Sequence, residues 1–520
     1  MEPIDFNDGG SNDPLHALVR SLNQVEKAYV KKFSAHGGNR KDYVYMKLFD
    51  ALAKEEEYDA ESFKKKHAKA PFIHNLAANR SFLKETILNA MRNLHDKRDP
   101  LGEVFGLISD FHFLKEKGIY KEAKRRLKKA KDKAEKLEAD WLSLEIVSLG
   151  INYDVELIRK GKPMGDAVRK NQVRQKELMD RIEREYLFMN SYYDIFVSVR
   201  AKKPRIDLEP IRNLLSSPWV SAALKGSSQF TFTNRLYILL LQALIARSEG
   251  DKKRYHLICY RVTSLFEKNN RTKGRFLKSY VKAAANYLES CHELGEYDDF
   301  DRIILRWEKD KVQTKGLDTK IEIEQNLLLY KQLLAMNTDE WEKARKITDE
   351  VRKLFREHGI KVNRSREIML SYNCMVTWFF LEKLDEMRPW ILYLLEKGSP
   401  RPDIGDHAVE AAKIMQIIYF IERKEDELAE YLGTRAKKKI KHRSQGTLIK
   451  KLRKITTKLK DYRKPLFADL AKFLDEQLNA ATTKEVVAGY KEMYFWAKSR
   501  ELGISIIEAH KRFKDGDPEC

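Results

Sequence analysis

The feature that most constrains the fold is a series of turn signals that recur at nearly equal intervals along the chain. Each signal separates two segments with helical apolar periodicity, and the signals fall near Gly118, Gly161, Lys203, Gly250, Gly295, Asn337, Lys383 and Lys424. Successive positions differ by 43, 42, 47, 45, 42, 46 and 41 residues. A period of this kind is typical of helical-repeat proteins, in which each repeat is a pair of stacked helices.

The residues around the first turn show how such a pair would pack. Gly118 permits a sharp turn, Tyr120 would fill the gap between the helices, and the small Ala123 and Ala130 would let them approach closely. This pattern resembles a tetratricopeptide repeat at its turn and second helix. Because the period exceeds the length of about 34 residues of a strict tetratricopeptide repeat, each helix must be longer.

Weaker copies of the pattern occur at later turns. Their predicted repeat-packing residues are Gly250, Gly295, Tyr297, Trp341 and Ala344. The chain has only 23 Gly and 13 Pro among 520 residues, below the usual combined share of about 12%. We therefore predict an all-α fold, an α-solenoid of tetratricopeptide-like helix pairs with a period of 41 to 47 residues and helical N- and C-terminal caps.

The pattern divides the chain into three predicted regions. Residues 1–100 form an N-terminal helical region, with candidate helices near Pro14–Phe33, Lys41–Ala53, Ala60–His67 and Leu76–Leu94. Residues 101–441 form the solenoid, and residues 442–520 form a basic C-terminal helical cap. A DNA-binding helix-turn-helix within residues 1–100 is an alternative interpretation of the first region.

Positive charge is concentrated near the start of the predicted cap. The formal net charge of the chain is +22, and the segment 435–464 holds fourteen Lys or Arg residues and one acidic residue. A basic cluster favours an anionic partner such as nucleic acid. The candidate anion-binding residues are Lys437, Lys438, Lys439, Lys441, Arg443, Lys450, Lys451, Arg453 and Lys454.

One amphipathic helix is predicted inside this basic segment, from about Thr447 to Tyr462. Its apolar residues follow a spacing of four, three and four positions, at 448, 452, 455 and 459. This spacing places them on a single stripe that would dock on the solenoid, with the basic side chains mostly on the outer sides. A solvated helix face that binds nothing is the alternative interpretation.

The sequence offers no motif of a known catalytic or cofactor site. It lacks GxGxxG, HExxH, GxSxG and CxxC patterns, and the Gly161-Lys162-Pro163 stretch has only the Gly-Lys pair of a phosphate loop. Two Cys/His pairs, at 256/259 and 291/292, are a conceivable metal site if stacked repeats bring them together. However, adjacent helical residues point about 100° apart, which favours buried cysteines and surface histidines. We predict no enzyme, no cofactor and no metal.

The composition also suggests a compartment. Four cysteines in 520 residues do not form a disulfide framework, which fits a reducing environment. The stretch Met1–Pro14 is acidic and polar, unlike a signal peptide. Because no run of about 18 apolar residues occurs, we expect a cytoplasmic protein without a transmembrane helix.

Both ends of the chain resemble one family. The runs Leu18–Lys27, Lys47–Asp50 and Phe82–Leu88, together with Tyr494–Leu502 near the C-terminus, are similar to a family of uncharacterised tetratricopeptide-like helical-repeat proteins from Bacteroidota. The resemblance implies a helical-repeat fold and carries no activity, ligand or site residue.

These observations favour a binding protein over an enzyme. We expect a scaffold that binds a protein or peptide partner along the concave surface of its repeats, as solenoids commonly do. The alternative is a nucleic-acid or ribosome-associated protein that uses the basic segment 435–464.

Overall fold

The fold is all-α, as predicted. The computed structural model describes residues 13–34, 44–55, 58–96, 100–161, 166–200, 207–226, 230–269, 273–274, 276–314, 316–397, 404–437, 443–457, 463–480 and 489–516. Helices account for 85% of these residues, and no strand occurs among them. None of the described helices has an apolar stretch long enough to cross a bilayer.

The helices in chain order are α1 (Pro14–Ser21), α2 (Gln24–Ser34), α3 (Val44–Lys54), α4 (Ala60–Lys66), α5 (Leu76–Asp96), α6 (Pro100–Glu116), α7 (Tyr120–Lys136), α8 (Asp140–Arg159), α9 (Ala167–Arg200), α10 (Glu209–Leu215), α11 (Pro218–Leu224), α12 (Phe232–Glu249) and α13 (Lys252–Glu267). They continue as α14 (Leu277–Leu294), α15 (Phe300–Gln313), α16 (Leu317–Asn337), α17 (Trp341–His358), α18 (Arg364–Phe380), α19 (Leu384–Lys397), α20 (Ile404–Glu422), α21 (Asp426–Lys437), α22 (Arg443–Thr456), α23 (Lys464–Ala480), α24 (Tyr490–Leu502) and α25 (Ile506–Lys514). A short 3₁₀ helix, Gly359–Lys361, follows α17.

Seven of the eight turns that the period predicts lie between helices of the structure, and the eighth, near Lys203, is outside the described residues. Left-handed backbone marks each of them, at Gly118, Gly161, Gly250, Gly295, Asp339, Glu382 and Lys424. The last three are not glycines, which is why sequence inspection places two of these turns one or two residues away, at Asn337 and Lys383.

Two compact units make up the structure. The first comprises Met1–Asp194 and Ser216–Tyr237, and the second comprises Ile195–Leu215 and Ile238–Cys520. The predicted C-terminal cap belongs to the second unit.

The N-terminal helices of the first unit, α1 to α5, share one apolar core. Val19, Leu48 and Ile87 are fully buried there. One helix was expected over 14–33, but the structure has two, since a new helix begins after Asn23. Asn23 and Glu26 form a capping box, in which each side chain accepts a hydrogen bond from the other residue's backbone N–H, at 3.0 and 2.9 Å.

Helices α6, α7 and α8 form a second core in the first unit. Ala123 and Ala130 are fully buried in it, as the repeat pattern predicts. Tyr120 packs beside Tyr153 of α8, whose hydroxyl donates a 2.8 Å hydrogen bond to the Tyr120 carbonyl. The tyrosine therefore lies between neighbouring helices, and the small alanines allow the close approach.

The second unit is a row of helix pairs. The first helices of successive pairs, α14, α16, α18, α20 and α22, pack side by side. Each second helix, α15, α17, α19 or α21, packs against its own first helix and the next one. Trp341 and Ala344 are buried at the start of α17.

Candidate functional site

The first helices of the second unit are apolar on nearly every side. Consecutive residues 325–330 of α16 and 373–380 of α18 are all buried. A helix of this kind must be covered on more than one side. The second helices cover one side, and the C-terminal pair α24 and α25 covers another.

Arg500 of α24 connects the C-terminal pair to two successive repeats. Its Nε and Nη2 atoms each donate a 2.8 Å hydrogen bond to the Glu422 carboxylate at the end of α20. Nη2 also donates to Glu382, in the turn after α18, at 2.9 Å. The buried indole of Trp496 donates a further bond to Glu422 at 2.7 Å. A guanidinium shared by two carboxylates in this way fixes the position of α24.

A third repeat is held by α25. The Asp339 carboxylate, in the turn after α16, lies 2.7 Å from both His510 Nδ1 and Lys514 Nζ. Although burial opposes ionisation, these two partners hold the pKa of Asp339 below its ordinary value. Burial also lowers the pKa of His510, against the attraction of the carboxylate. The C-terminal pair therefore runs across the ends of α16, α18 and α20.

A cavity of about 360 Å³ remains between these helices and the C-terminal pair. Its wall is mainly apolar and includes Met336, Met369, Val376, Phe380 and Phe495. The volume is in the range of small-molecule sites, which usually combine an apolar wall with a few polar groups. This cavity was not anticipated from sequence, because its walls come from segments more than 100 residues apart.

Polar groups occur at two places in the cavity. Inside it, burial raises the pKa of Tyr372 and also that of its neighbour Glu492. At the mouth, the exposed side chains of His292 and Lys491 lie together. Desolvation by the surrounding protein and the charge of Lys491 lower the pKa of His292. Burial therefore disfavours the charged forms of Tyr372 and Glu492, and Lys491 supplies a positive charge at the mouth.

The predicted basic helix exists as α22, and its apolar side is buried. Leu448, Leu452 and Ile455 are fully buried, as predicted, and Ile449 joins them. Leu459 lies outside the described residues.

Five basic residues of this helix are predicted to lie mostly on its outer sides, and the fifth, Lys458, is outside the described residues. The other four differ in their surroundings. Lys450 and Lys454 are exposed and form no ion pair within the described residues. Lys451, by contrast, pairs with Asp469 of α23, and its side chain is only 19% exposed. Arg453 pairs with Glu430 of α21 at 3.1 Å. Two of the four therefore bind acidic groups of neighbouring helices, and Lys450 and Lys454 are the two that face solvent.

The remaining candidate anion-binding residues border or fall within the segment before α22. Lys437 ends α21, Arg443 begins α22, and the three other lysines, Lys438, Lys439 and Lys441, lie outside the described residues. Their predicted role stays a prediction.

The Cys/His pairs pack within α13 and α14. The Nδ1 atom of His256 lies 3.2 Å from Ser290 Oγ and 3.9 Å from Cys291 Sγ. His292 is turned to Tyr297, whose hydroxyl is 2.7 Å from its Nδ1 atom. Within the described part of the chain, no group of three or more His, Cys, Asp or Glu side chains is placed to hold a metal ion.

An exposed apolar stripe on α9 was missed by the sequence reasoning. Met179, Tyr186 and Tyr193 are 56%, 51% and 46% exposed. They are spaced seven residues apart, which places them nearly above one another on the helix. The seven-residue spacing was readable in the sequence, but a surface stripe cannot be distinguished there from a core stripe.

Comparison with known proteins identifies no relative of this chain. No protein-family model matches the chain, and no curated protein or solved structure is significantly similar to it.

Proposed function

We propose that the chain is a non-catalytic, tetratricopeptide-like helical-repeat scaffold that binds a protein partner. The observation that supports this function is the apolar stripe of α9. Large apolar side chains scattered singly on a surface are ordinary, but an ordered row of them on one helix is typical of a docking site for another helix. Tyrosine is also among the residues that contribute most to binding energy in protein interfaces.

The charges beside the stripe change from basic to acidic along α9. The exposed Arg169, Lys170 and Lys176 lie toward the beginning of α9, and the exposed Asp180 and Glu183 follow them. A partner helix that is acidic at one end and basic at the other would match this polarity. The expected occupant is therefore an amphipathic helix of a protein partner.

This proposal moves the binding surface from the place expected from sequence. The concave side of a repeat array usually receives the partner, but here α24 and α25 cover the ends of α16, α18 and α20. The α9 stripe lies in the first unit and is exposed among the described residues, although the Tyr193 hydroxyl is 3.1 Å from that of Tyr237. The resemblance of both chain ends to helical-repeat proteins of Bacteroidota fits this class and stays a prediction.

Photo-crosslinking tests the proposed surface. A photoreactive amino acid at Tyr186 should capture a specific protein in the cells that produce the chain. Adding Met179→Lys and Tyr193→Lys should abolish that capture, because two buried charges would be left unpaired in the interface. The matched control, Ser81→Lys with Asn89→Lys at exposed positions of α5, should leave it unchanged.

Two results would contradict the proposal. Capture of a second copy of the chain alone would make α9 a self-association surface. Equal capture by the double variant and its control would show that the stripe is not the contact.

Binding of a polyanion is the second candidate function. It is supported by the exposed Lys450 and Lys454, which have no ion pair among the described residues. Phosphate contacts would make affinity fall steeply with salt. An absence of duplex or single-strand binding at low salt would remove this candidate.

A further inference from the structure

The cavity beside the C-terminal pair has the features of a ligand site. It lies within the second unit, far in sequence from the α9 stripe, and it does not depend on the scaffold proposal. Its apolar wall includes two methionines, Met336 and Met369, whose flexible thioethers adapt to the shape of a bound group. Apolar atoms that face a void lack packing partners, so an apolar ligand would gain contacts by filling it.

The rigid side of the wall is aromatic. Trp341 and Phe380 stack with 4.2 Å between their ring centroids, and Phe495 lies 6.2 Å from Phe380. These rings come from α17, α18 and α24. An extended apolar chain would lie between this aromatic side and the methionines.

The charges around the cavity decide which polar head the ligand carries. Asp339 forms an ion pair with Lys514 at 2.7 Å, and His510 Nδ1 lies at the same distance from its carboxylate. Burial disfavours the charged form of Glu492, which lies beside Tyr372. Lys491 lies at the mouth beside His292 and supplies a positive charge there, while Glu289 is the carboxylate that acts on the same histidine.

At the mouth, one ring nitrogen of His292 is available to a ligand. Its Nδ1 atom is 2.7 Å from the Tyr297 hydroxyl, which leaves Nε2 as the other polar atom of the ring. A carboxylate at the mouth would meet Lys491 as a charged donor, and Nε2 can donate a second hydrogen bond when it carries the proton.

We propose that this cavity binds an amphipathic monocarboxylate, with its alkyl chain between Met336, Met369 and Phe380 and its carboxylate at Lys491 and His292. An amine of the same length would meet Lys491 as a like charge. An alcohol of the same length would keep the apolar contacts and lack the ionic one.

Calorimetry on the full chain separates these three ligands. Decanoate should bind with one-to-one stoichiometry, and decanol and decylamine should bind at least about tenfold more weakly, the effect of losing one charged hydrogen bond. Lys491→Gln should weaken decanoate binding by about tenfold and leave decanol binding unchanged. Lys472→Gln, at an exposed position of α23, is the matched control and should change neither.

A second measurement uses the unaltered chain. With methyl-labelled methionine, the signals of Met336 and Met369 should shift on adding decanoate.

A third test fills the cavity. Val376→Phe, which enlarges a side chain of the apolar wall, should abolish binding of decanoate and decanol alike. If that variant does not fold, the methionine shifts in the unaltered chain decide.

The possible results are distinct. Tighter binding of decylamine than of decanoate would overturn the assignment of an anionic ligand. Decanoate binding without methionine shifts, or unaffected by Lys491→Gln, would place the ligand elsewhere. Absence of binding by all three compounds would refute a ligand site in this cavity.

Discussion

Replacement of Gly250 by alanine tests whether the turns of the repeat are set by backbone conformation alone. Gly250 has a φ of 75°, in the left-handed region. A methyl group added there would meet no atom within 4 Å. The substitution therefore changes the backbone energy without a steric clash.

The expected cost follows from the φ angle. The left-handed conformation costs an L-residue roughly 1–2 kcal/mol. Alanine also lowers the conformational entropy of the unfolded chain, and at unstrained positions this stabilises the folded state by about 0.4–1 kcal/mol. The net destabilisation from Gly250→Ala should therefore be about 1 kcal/mol.

Lys424 supplies the reverse substitution in the same unit. Its φ is 63°, although it is not glycine, and its side chain is exposed. Lys424→Gly should remove the left-handed penalty, while the greater freedom of glycine in the unfolded chain opposes this by about 0.5–1 kcal/mol. A stabilisation of about 1 kcal/mol is expected, similar in size to the Gly250→Ala effect and opposite in sign.

Hydrogen exchange measures both effects locally. In a repeat array each element contacts mainly its neighbours, so the changes should appear first in α13 for the Gly250 variant and in α20 and α21 for the Lys424 variant. A neutral or stabilising Gly250→Ala would refute the reasoning, because it would mean that the turn does not hold residue 250 in the left-handed region.

Ala123→Trp should destabilise the first unit by about 1–3 kcal/mol, and unchanged hydrogen-exchange protection in α6 to α8 would contradict this. Burial raises the pKa of the Cys374 thiol to about 12, so in a Cys520→Ser chain the native protein should react with a thiol reagent at pH 8 far more slowly than the urea-unfolded chain. Lys451→Glu should destabilise the fold by about 1 kcal/mol in urea titrations because it places a like charge beside its acidic partner, whereas Lys450→Glu should change stability by less than about 0.5 kcal/mol.

Local features of the fold were predictable from local sequence. The turns at Gly118 and Gly295 and the buried stripe of α22 depend on residues within a few turns of helix, so periodicity finds them. The Asn23–Glu26 capping box is local too, and its pattern was present in the sequence but was read as part of one longer helix.

The candidate sites depend on contacts between distant segments. Lys451 and Arg453 look like free surface charges until Asp469 and Glu430 come beside them from other helices. The cavity wall joins residues of α16 and α18 to residues of α24, and no periodic pattern records which distant helix will cover which surface. A single sequence shows which side of a helix is apolar, but not what will pack there.

The return of the C-terminal pair also affects how the chain matures on the ribosome. Arg500 and Glu382 are 118 residues apart, and Lys514 and the Asn337 carbonyl are 177 residues apart. Simple repeat arrays can acquire order pair by pair as synthesis proceeds. In this chain the apolar side of α16, α18 and α20 stays uncovered until the segment 490–514 has left the exit tunnel. The nascent second unit should therefore need protection from aggregation until the last helices are made, and a stalled or truncated product that lacks them should be a preferred substrate of chaperones.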